Sequence, residues 1–395
     1  RMDAFTIPQI YGPEAHPWIT QLAVHESRHI SQMQFGLDST QGVIGWFLGE
    51  MWNGLTAAIY TESSFLEGDA VIAETELTRS GRGRKADFLN YYMVCFDQGD
   101  LRDWDQWRFG SQKKYTPDWY ALGYLTYGGM RWLYDRDDYT DEYLHYAAKH
   151  FFRFDVRDVI AKHTTGKDLV HSFPAIRDSV TAVWQKDAEV RKPYMPMEQI
   201  TAEPRKTADY ENFTIIGSSL FSIKHGFNDN YKLVRIDLSG QFADTLGPAR
   251  QFPEKFISYF NGNSGQLYPS PDGKQLYWSE AIPDARWTVR YTSDLRYSKP
   301  FSKSKKTLRH GNWDYNPVPS RDGKRIAAVG VKPEGGSMLH ILDSENGALM
   351  QCLDAPDSLQ LVDLAWMGEN VVCATAISEN GFGIYCTELK NGNWK

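Results

Sequence analysis

Ser270-Pro271-Asp272-Gly273-Lys274 recurs fifty residues later as Ser320-Arg321-Asp322-Gly323-Lys324. In each copy the Asp-Gly pair is a turn signal, and an alternating apolar/polar run follows: Gln275 to Glu280 after the first, Arg325 to Val331 after the second. More short alternating runs cover Phe213 to Lys224, Tyr231 to Asp237, Trp287 to Thr292, Met338 to Leu342, Asn370 to Ala376 and Gly383 to Leu389. Ser239-Gly240, Asn346-Gly347 and Asn391-Gly392 end similar hairpins. A period of about 40–50 residues with four strands in each predicts β-propeller blades. One blade cannot bury both of its faces, so blades stack on their neighbours. Four are expected, at roughly 209–255, 256–305, 306–352 and 353–395.

Upstream the texture changes. Trp18 to Gln34, Val43 to Tyr60, Phe65 to Thr78, Trp119 to Tyr134, Thr140 to Phe152 and Ser172 to Lys186 carry apolar residues at helical spacing, with Gly or Pro between them. Lys192 to Lys206 holds three prolines and scattered charges and reads as a linker. The expected organisation is a mainly α-helical domain over 1–191, a linker over 192–208 and an all-β domain over 209–395. A chain of 395 residues, 42% hydrophobic and 24% charged, has the composition of a folded multidomain protein. Its net charge of −7 argues against a general nucleic-acid binder, which carries a basic face. No apolar run reaches the roughly 18 residues of a membrane span; Val43 to Trp52 is interrupted by Gly49 and Glu50. The four cysteines, Cys95, Cys352, Cys373 and Cys386, have no metal-site spacing and read as small buried hydrophobes. One disulfide among the last three is open, with no way to place it from sequence.

The chemistry is concentrated in His25-Glu26-Ser27-Arg28-His29. Two histidines at i and i+4 share one helical face. Both imidazoles can then reach one Zn²⁺ at about 2.0–2.1 Å. Glu26 falls beside them and can take a proton from the attacking water. The plainer alternative is a solvated helix face with two surface histidines. Ile19, Leu22, Ala23, Ile30 and Met33 argue against it, because they form an apolar face expected to set the helix inside the fold. Gln32 extends the pattern to HExxHxxQ.

Glu67-Gly68-Asp69-Ala70 with Glu74 resembles the Glu-Gly-x-Ala-x-x-x-Glu helix of gluzincins, the aminopeptidase-N-like zinc peptidases. The resemblance implies Glu67 as third zinc ligand and Glu74 as a carboxylate behind the ligands; Glu62 and Asp69 compete for the ligand position. The interval from His29 to Glu67 resembles looser peptidase relatives, in which a helical excursion, here Gly42 to Glu62, fills it. Tyr120-Ala121-Leu122-Gly123 is similar to the Tyr-x-x-Gly helix of the same peptidases. It implies Tyr120 as donor to the developing oxyanion, with Tyr124 as runner-up. Thr165-Gly166-Lys167-Asp168-Leu169 with Phe173 and Trp184 resembles their helical tail. The Ser-x-Asp-Gly-Lys turns resemble TolB-type propeller repeats. Those propellers usually have six or more blades, so the four here are expected to belong to a longer ring. Such modules imply a bacterial-envelope location, periplasmic or at the cell surface, for an exported protein.

Zincins carry a sheet ahead of the HExxH helix whose edge strand holds substrate. Here Ala4 to Ile10 offers one strand, so that sheet is expected to lie outside this chain. No GxSxG elbow, Walker loop or dinucleotide fingerprint occurs. Gly81-Arg82-Gly83-Arg84-Lys85 reads as a solvated inter-helix loop, and Trp278-Ser279-Glu280 with Asp284, Arg286 and Trp287 as structural. The expected function is zinc-dependent hydrolysis of a peptide or protein substrate, with a possible protein partner on the propeller. The alternative is a non-enzymatic interaction platform carrying a relic zincin domain. A glycan-processing role, suggested by 13 Trp and 22 Tyr, has no specific support.

Overall fold

The computed structural model describes residues 18–395 apart from 38, 79–80, 86, 112–113, 151, 198, 202–207, 227–228, 240–251, 263, 288–290, 333–335 and 379–380. The strand expected over Ala4 to Ile10 and part of the expected linker lie outside the described residues. The chain divides into two compact units, Ile19–Pro196 and, mainly, Met197–Lys395. The first is helical and the second is built of antiparallel sheets. No described helix is long and apolar enough to cross a membrane.

The helical unit runs α1 (Trp18–Leu37), α2 (Thr40–Leu48), α3 (Glu50–Tyr60) and α4 (Ser63–Leu77), then a 3₁₀ turn (Arg82–Arg84). After it come α5 (Asn90–Asp97), α6 (Trp104–Phe109), α7 (Trp119–Gly123), a π turn (Tyr124–Gly128) and α8 (Gly129–Tyr134). It ends with α9 (Tyr139–Lys149), α10 (Val156–Thr165) and α11 (Leu169–Val190). Helix α4 is central: Phe65, Ala70, Val71 and Ile72 are buried, and Phe65 stacks on Tyr143 with ring centroids 3.8 Å apart. Gly68 meets Gly123 of α7 backbone to backbone. A Cβ on Gly68 would lie 2.3 Å from the Gly123 carbonyl carbon, and one on Gly123 would lie 1.8 Å from the Ser64 oxygen. The glycines of the two sequence motifs therefore pack against each other, and this brings the segments around Glu67 and Tyr120 together.

Several expectations need correction. The stretch Val43 to Tyr60 is two helices, because Gly49 adopts φ 77° and breaks the run. The short helices α5, α6 and α10 lie outside the predicted stretches; α6 is closed by a reciprocal Asp103–Gln106 cap and α7 is capped by Asp118. Helix α1 does not bury its apolar face. Ile30 and Met33 are exposed, at 70% and 46%, whereas Gln21, His25 and Gln32 are buried. Helices α2 and α3 follow the same pattern, with Gln41, Asn53 and Thr56 inside and Val43, Trp46, Phe47 and Met51 outside.

The second unit is four antiparallel sheets. The first holds β1 (Ala208–Ile216), β2 (Ser219–Gly226), β3 (Asp229–Asp237) and β4 (Glu254–Tyr259). The second holds β5 (Tyr268–Pro269), β6 (Leu276–Pro283), β7 (Tyr291–Ser298) and β8 (Lys306–Asn312). The third holds β9 (Asp314–Pro319), β10 (Arg325–Val331), β11 (Ser337–Asp343) and β12 (Leu349–Asp354). The fourth holds β13 (Gln360–Trp366), β14 (Val371–Ser378) and β15 (Gly381–Glu388), three strands rather than four. Beside β15, Lys395 exchanges backbone hydrogen bonds with Cys386 at 2.9 Å.

Neighbouring sheets share apolar clusters. Phe221, Ile223, Leu276 and Trp278 join the first to the second; Tyr277, Leu295, Ile326 and Leu342 join the second to the third. Ala327, Val329, Leu361 and Trp366 join the third to the fourth. Strand alternation explains the order: Trp278 and Tyr277, or Ala327 and Ile326, point to opposite faces of one sheet. The opening strands also adjoin, β1 to β5, β5 to β9 and β9 to β13.

The two signature turns are superimposable in their bonding. Ser270 Oγ and Ser320 Oγ each donate to the aspartate two residues on at 2.6 Å. Asp272 and Asp322 accept from the amides of Lys274 and Lys324 at 3.0 and 3.1 Å. Gly273 and Gly323 take φ 67° and 71°, which favours glycine. Cys373 and Cys386 are opposite partners on β14 and β15 and form a disulfide. Cys95 is half-buried and Cys352 exposed, so the reading of the four as buried hydrophobes does not hold.

Candidate metal centre

Helix α1 places His25 above His29 on the face turned to α4. The Nε2 atoms of the two imidazoles lie 3.2 Å apart. Glu67, from the second turn of α4, brings Oε2 to 3.1 Å from His25 Nε2 and 3.3 Å from His29 Nε2. Together these form a group able to hold a metal ion. An ion bound at about 2.0–2.1 Å in tetrahedral geometry separates its ligands by roughly 3.3 Å. The three observed separations match one face of such a tetrahedron, so the donor set fits Zn²⁺ with a fourth position open.

Both imidazoles are oriented from behind. His29 Nδ1 faces Gln32 Oε1 at 2.8 Å. Gln32 Nε2 in turn donates to the Leu66 carbonyl at 2.9 Å and to Asp69 Oδ2 at 2.7 Å. The amide is anchored through its nitrogen, so its oxygen is left to accept from Nδ1–H of His29. With Nδ1 occupied by Gln32, Nε2 is the ring nitrogen turned to Glu67. His25 Nδ1 lies 3.2 Å from Glu74 Oε2. Glu74 is almost fully buried and also receives Gln21 Nε2 at 3.2 Å and Arg82 Nε at 2.8 Å.

The charges are strongly coupled. Burial disfavours ionised Glu67, but hydrogen bonds from His25, His29 and Tyr120 outweigh it and hold the carboxyl far below the usual range. Burial also opposes a charge on His25, and the Glu67 and Glu74 carboxylates more than offset it, so its pKa is raised. The bond to Glu67 raises His29 against the pull of burial.

Tyr120, at the start of α7, hydrogen-bonds Glu67, and its ring stacks on His25 with centroids 5.8 Å apart. Burial and the adjacent Glu67 charge push its hydroxyl up to about 12, so it stays a donor at neutral pH. Glu26 follows His25 on α1, is half-buried, and makes no hydrogen bond or ion pair among the described residues. The competing ligands lie elsewhere. Glu62 pairs with Arg108 at 2.9 Å and Arg157 at 3.3 Å, and Asp69 pairs with Arg28 at 2.7 Å. Tyr124 packs over Gly83 and Phe88.

Sequence reading missed two contributors. Gln21 and Arg82 both reach Glu74. Gln21 had a signal, since 21, 25, 28 and 32 form a polar stripe at helical spacing. Arg82 had none; its loop is not the solvated one expected. Trp278 and Glu280 do bond each other inside the β unit, at 3.0 Å, while Trp287 is exposed.

No protein family matches the chain, and no curated protein does. Solved structures similar to its β-rich half include propeller domains and TolB proteins. They include the β-propeller domain of the Trilobed protease from Pyrococcus furiosus, at 16% identity over 48% of this chain and 57% of that one, TM-score 0.33. TolB from Acinetobacter baumannii matches at 16% identity over 45% and 40% of the two chains, TM-score 0.33. An acylaminoacyl peptidase from Pyrococcus horikoshii matches at 13% identity over 48% and 32%, TM-score 0.32. The chain thus spans between 32% and 57% of the length of these three. No activity is inferred from likeness at this level.

Proposed function

We propose that the helical unit is a zinc-dependent peptidase whose metal is held by His25, His29 and Glu67. The observation that carries this reading is the convergence of three donor atoms 3.1 to 3.3 Å apart, with Tyr120 on the carboxylate and Glu26 adjoining. His25, His29 and Glu67 would hold the zinc ion, which would supply Lewis acidity and make an attacking water more acidic. The chain's own residues do the rest. Glu26 takes the proton from the attacking water and returns it to the leaving nitrogen, so one water is consumed and an acid and an amine are released. Tyr120 donates its hydroxyl proton in a hydrogen bond to the carbonyl oxygen as charge develops there. Gln32 and Glu74 keep the two imidazoles turned so that Nε2 faces inward.

The purified protein should hold about one Zn²⁺ per chain and cleave members of a peptide library. His25→Ala or His29→Ala should remove the metal, and Glu67→Gln should weaken its retention. Stoichiometric zinc that survives both histidine substitutions would sink the assignment.

A further inference from the structure

Arg82 stands behind the metal centre because of how its loop is built. Gly81 lies directly on the last turns of α4: a Cβ there would be 2.3 Å from Thr75 Cα and 2.6 Å from the Glu74 carbonyl carbon. Gly83 sits under the Tyr124 ring, where a Cβ would meet Cζ at 2.3 Å. The Gly83 amide donates to Thr75 Oγ1 at 3.1 Å, and Arg84 Nη2 donates to the Thr75 carbonyl at 2.9 Å. The Gly-Arg-Gly-Arg sequence is thus a clasp on the end of α4, and it delivers one side chain inward.

That side chain touches three parts of the site. The Arg82 amide and Nε donate to Glu74 Oε1 at 3.0 and 2.8 Å, and Nη2 donates to Oε2 at 3.1 Å. Nη2 also lies 2.8 Å from His25 Nδ1. The guanidinium carbon sits 4.6 Å from the centre of the Tyr120 ring. One planar cation therefore contacts the carboxylate behind His25, the edge of His25 itself, and the tyrosine face.

We propose that Arg82 is a positioning residue of this centre, fixing the plane of the Glu74 carboxylate and with it the His25 ring, while holding Tyr120 from its other side. The proposal rests on the reading of His25, His29 and Glu67 as metal ligands. For His25 to offer Nε2 to a metal, Nδ1 must carry the hydrogen and give it to a carboxylate; arginine only donates, so in that tautomer the 2.8 Å approach of Nη2 to Nδ1 is a donor–donor contact, and Arg82 acts on the ring through Glu74 alone. Glu74 Oε1 already accepts from Gln21 and twice from Arg82. The Oε2 atom is the one directed at Nδ1, and the two-pronged grip of the guanidinium keeps it there. Lysine, a single point donor on a flexible stem, cannot fix the plane of a carboxylate. Because the same cation covers the Tyr120 ring, a ligand and the oxyanion donor are held by one group.

The test uses the full chain with Arg82→Lys, Arg82→Gln, Glu74→Gln and, as a control outside the clasp, Arg136→Gln, whose side chain pairs with Asp138 and Glu142. Zinc dissociation constants come from competition with a chelating dye, and the visible spectrum of the cobalt-substituted protein reports ligand geometry. Both Arg82 variants should bind zinc about 10–100-fold more weakly and change the cobalt spectrum, with lysine giving no rescue. Their kcat should fall more than their KM rises, and Arg136→Gln should match wild type. Wild-type zinc affinity and cobalt spectrum in the Arg82 variants would overturn the proposal. So would full rescue by lysine, or an equal loss in Arg136→Gln. If the Arg82 variants do not fold, Glu74→Gln reports on the same carboxylate, and unchanged zinc affinity there is equally fatal. If wild type itself binds no zinc, the ligand assignment fails first, and the two failures are told apart.

Discussion

In the β unit the buried carboxylates are matched by arginines and histidines within the same or the adjoining sheet, whereas in the helical unit two imidazoles and a carboxylate face one another. Asp314 pairs with His340 and Arg309, each at 2.6 Å, and Asp294 with Arg296 at 3.0 Å and His310 at 2.8 Å. Glu280 takes Arg296 at 3.1 Å. All but Asp294–Arg296, which lies within β7, link strands, and pairing compensates the cost of burying them. Around His25, His29 and Glu67 the donor atoms lie close enough together for one cation to bind all three. Buried charge alone therefore does not mark a site; donors converging on one another, with tuned partners behind them, are the sharper signal.

Substitutions can break or sharpen that contrast. The largest effect should come from Glu26→Gln, which removes the base and no ligand: peptide hydrolysis is lost while zinc remains stoichiometric. A variant that still turns over, or that sheds its metal, would erase the distinction between Glu26 and its neighbours. Tyr120→Phe comes next. It should lower kcat by roughly 10²–10³-fold with little change in KM, because the hydroxyl acts on charge that develops only in the transition state. An equal change in KM would move Tyr120 from oxyanion donor to substrate contact.

A smaller effect is expected on acid stability. Burial disfavours the Glu74 charge, but hydrogen bonds from His25 and Arg82 outweigh it and hold the carboxyl at about 2 instead of 4.5. The stabilisation is complete above pH 4.5 and is lost as pH falls toward 2. Acid titration of the metal-free protein should show this component in wild type and lack it in Glu74→Gln; limbs of equal depth would show that Glu74 is not the group responsible. The smallest effect belongs to the repeat. Ser270→Ala and Ser320→Ala should each cost about 1 kcal/mol in denaturant unfolding of the β unit, and by similar amounts, since their bonds match. Zinc content should not move in either.

Much of this was legible because it is local. The pairing of His25 with His29 follows from helical spacing, and the Ser-x-Asp-Gly-Lys turns follow from an aspartate beside a glycine that tolerates positive φ. The short or outer strands β4, β5, β8, β9, β12 and β13 were not read, because they carry few residues or weak alternation. Helix α1 was read with the wrong face inward. Apolar patterning assumes that burial selects hydrophobic residues, but here α1 and α4 meet through Gln21, His25, Gln32, Asp69 and Glu74. Cys373 and Cys386 stood among several equal pairings until strand register made them opposite partners.

By itself, then, the sequence determined which groups could act: two imidazoles on one face, a glutamate between them in sequence, and turns that repeat at a fixed interval. Tertiary structure decided which of three nearby carboxylates meets the histidines. Glu62 is drawn to Arg108 and Arg157, Asp69 to Arg28, and Glu67 alone of the three is turned to the histidines, where the Gly68–Gly123 contact sets the approach of α4 and α7. It also carried Arg82 inward on a loop that composition marks as solvent-facing. The reason is physical. Spacing along a helix is set by backbone geometry within a few residues, but the partner of a charged side chain is set by which backbones can approach closely enough, and that depends on packing across the whole unit.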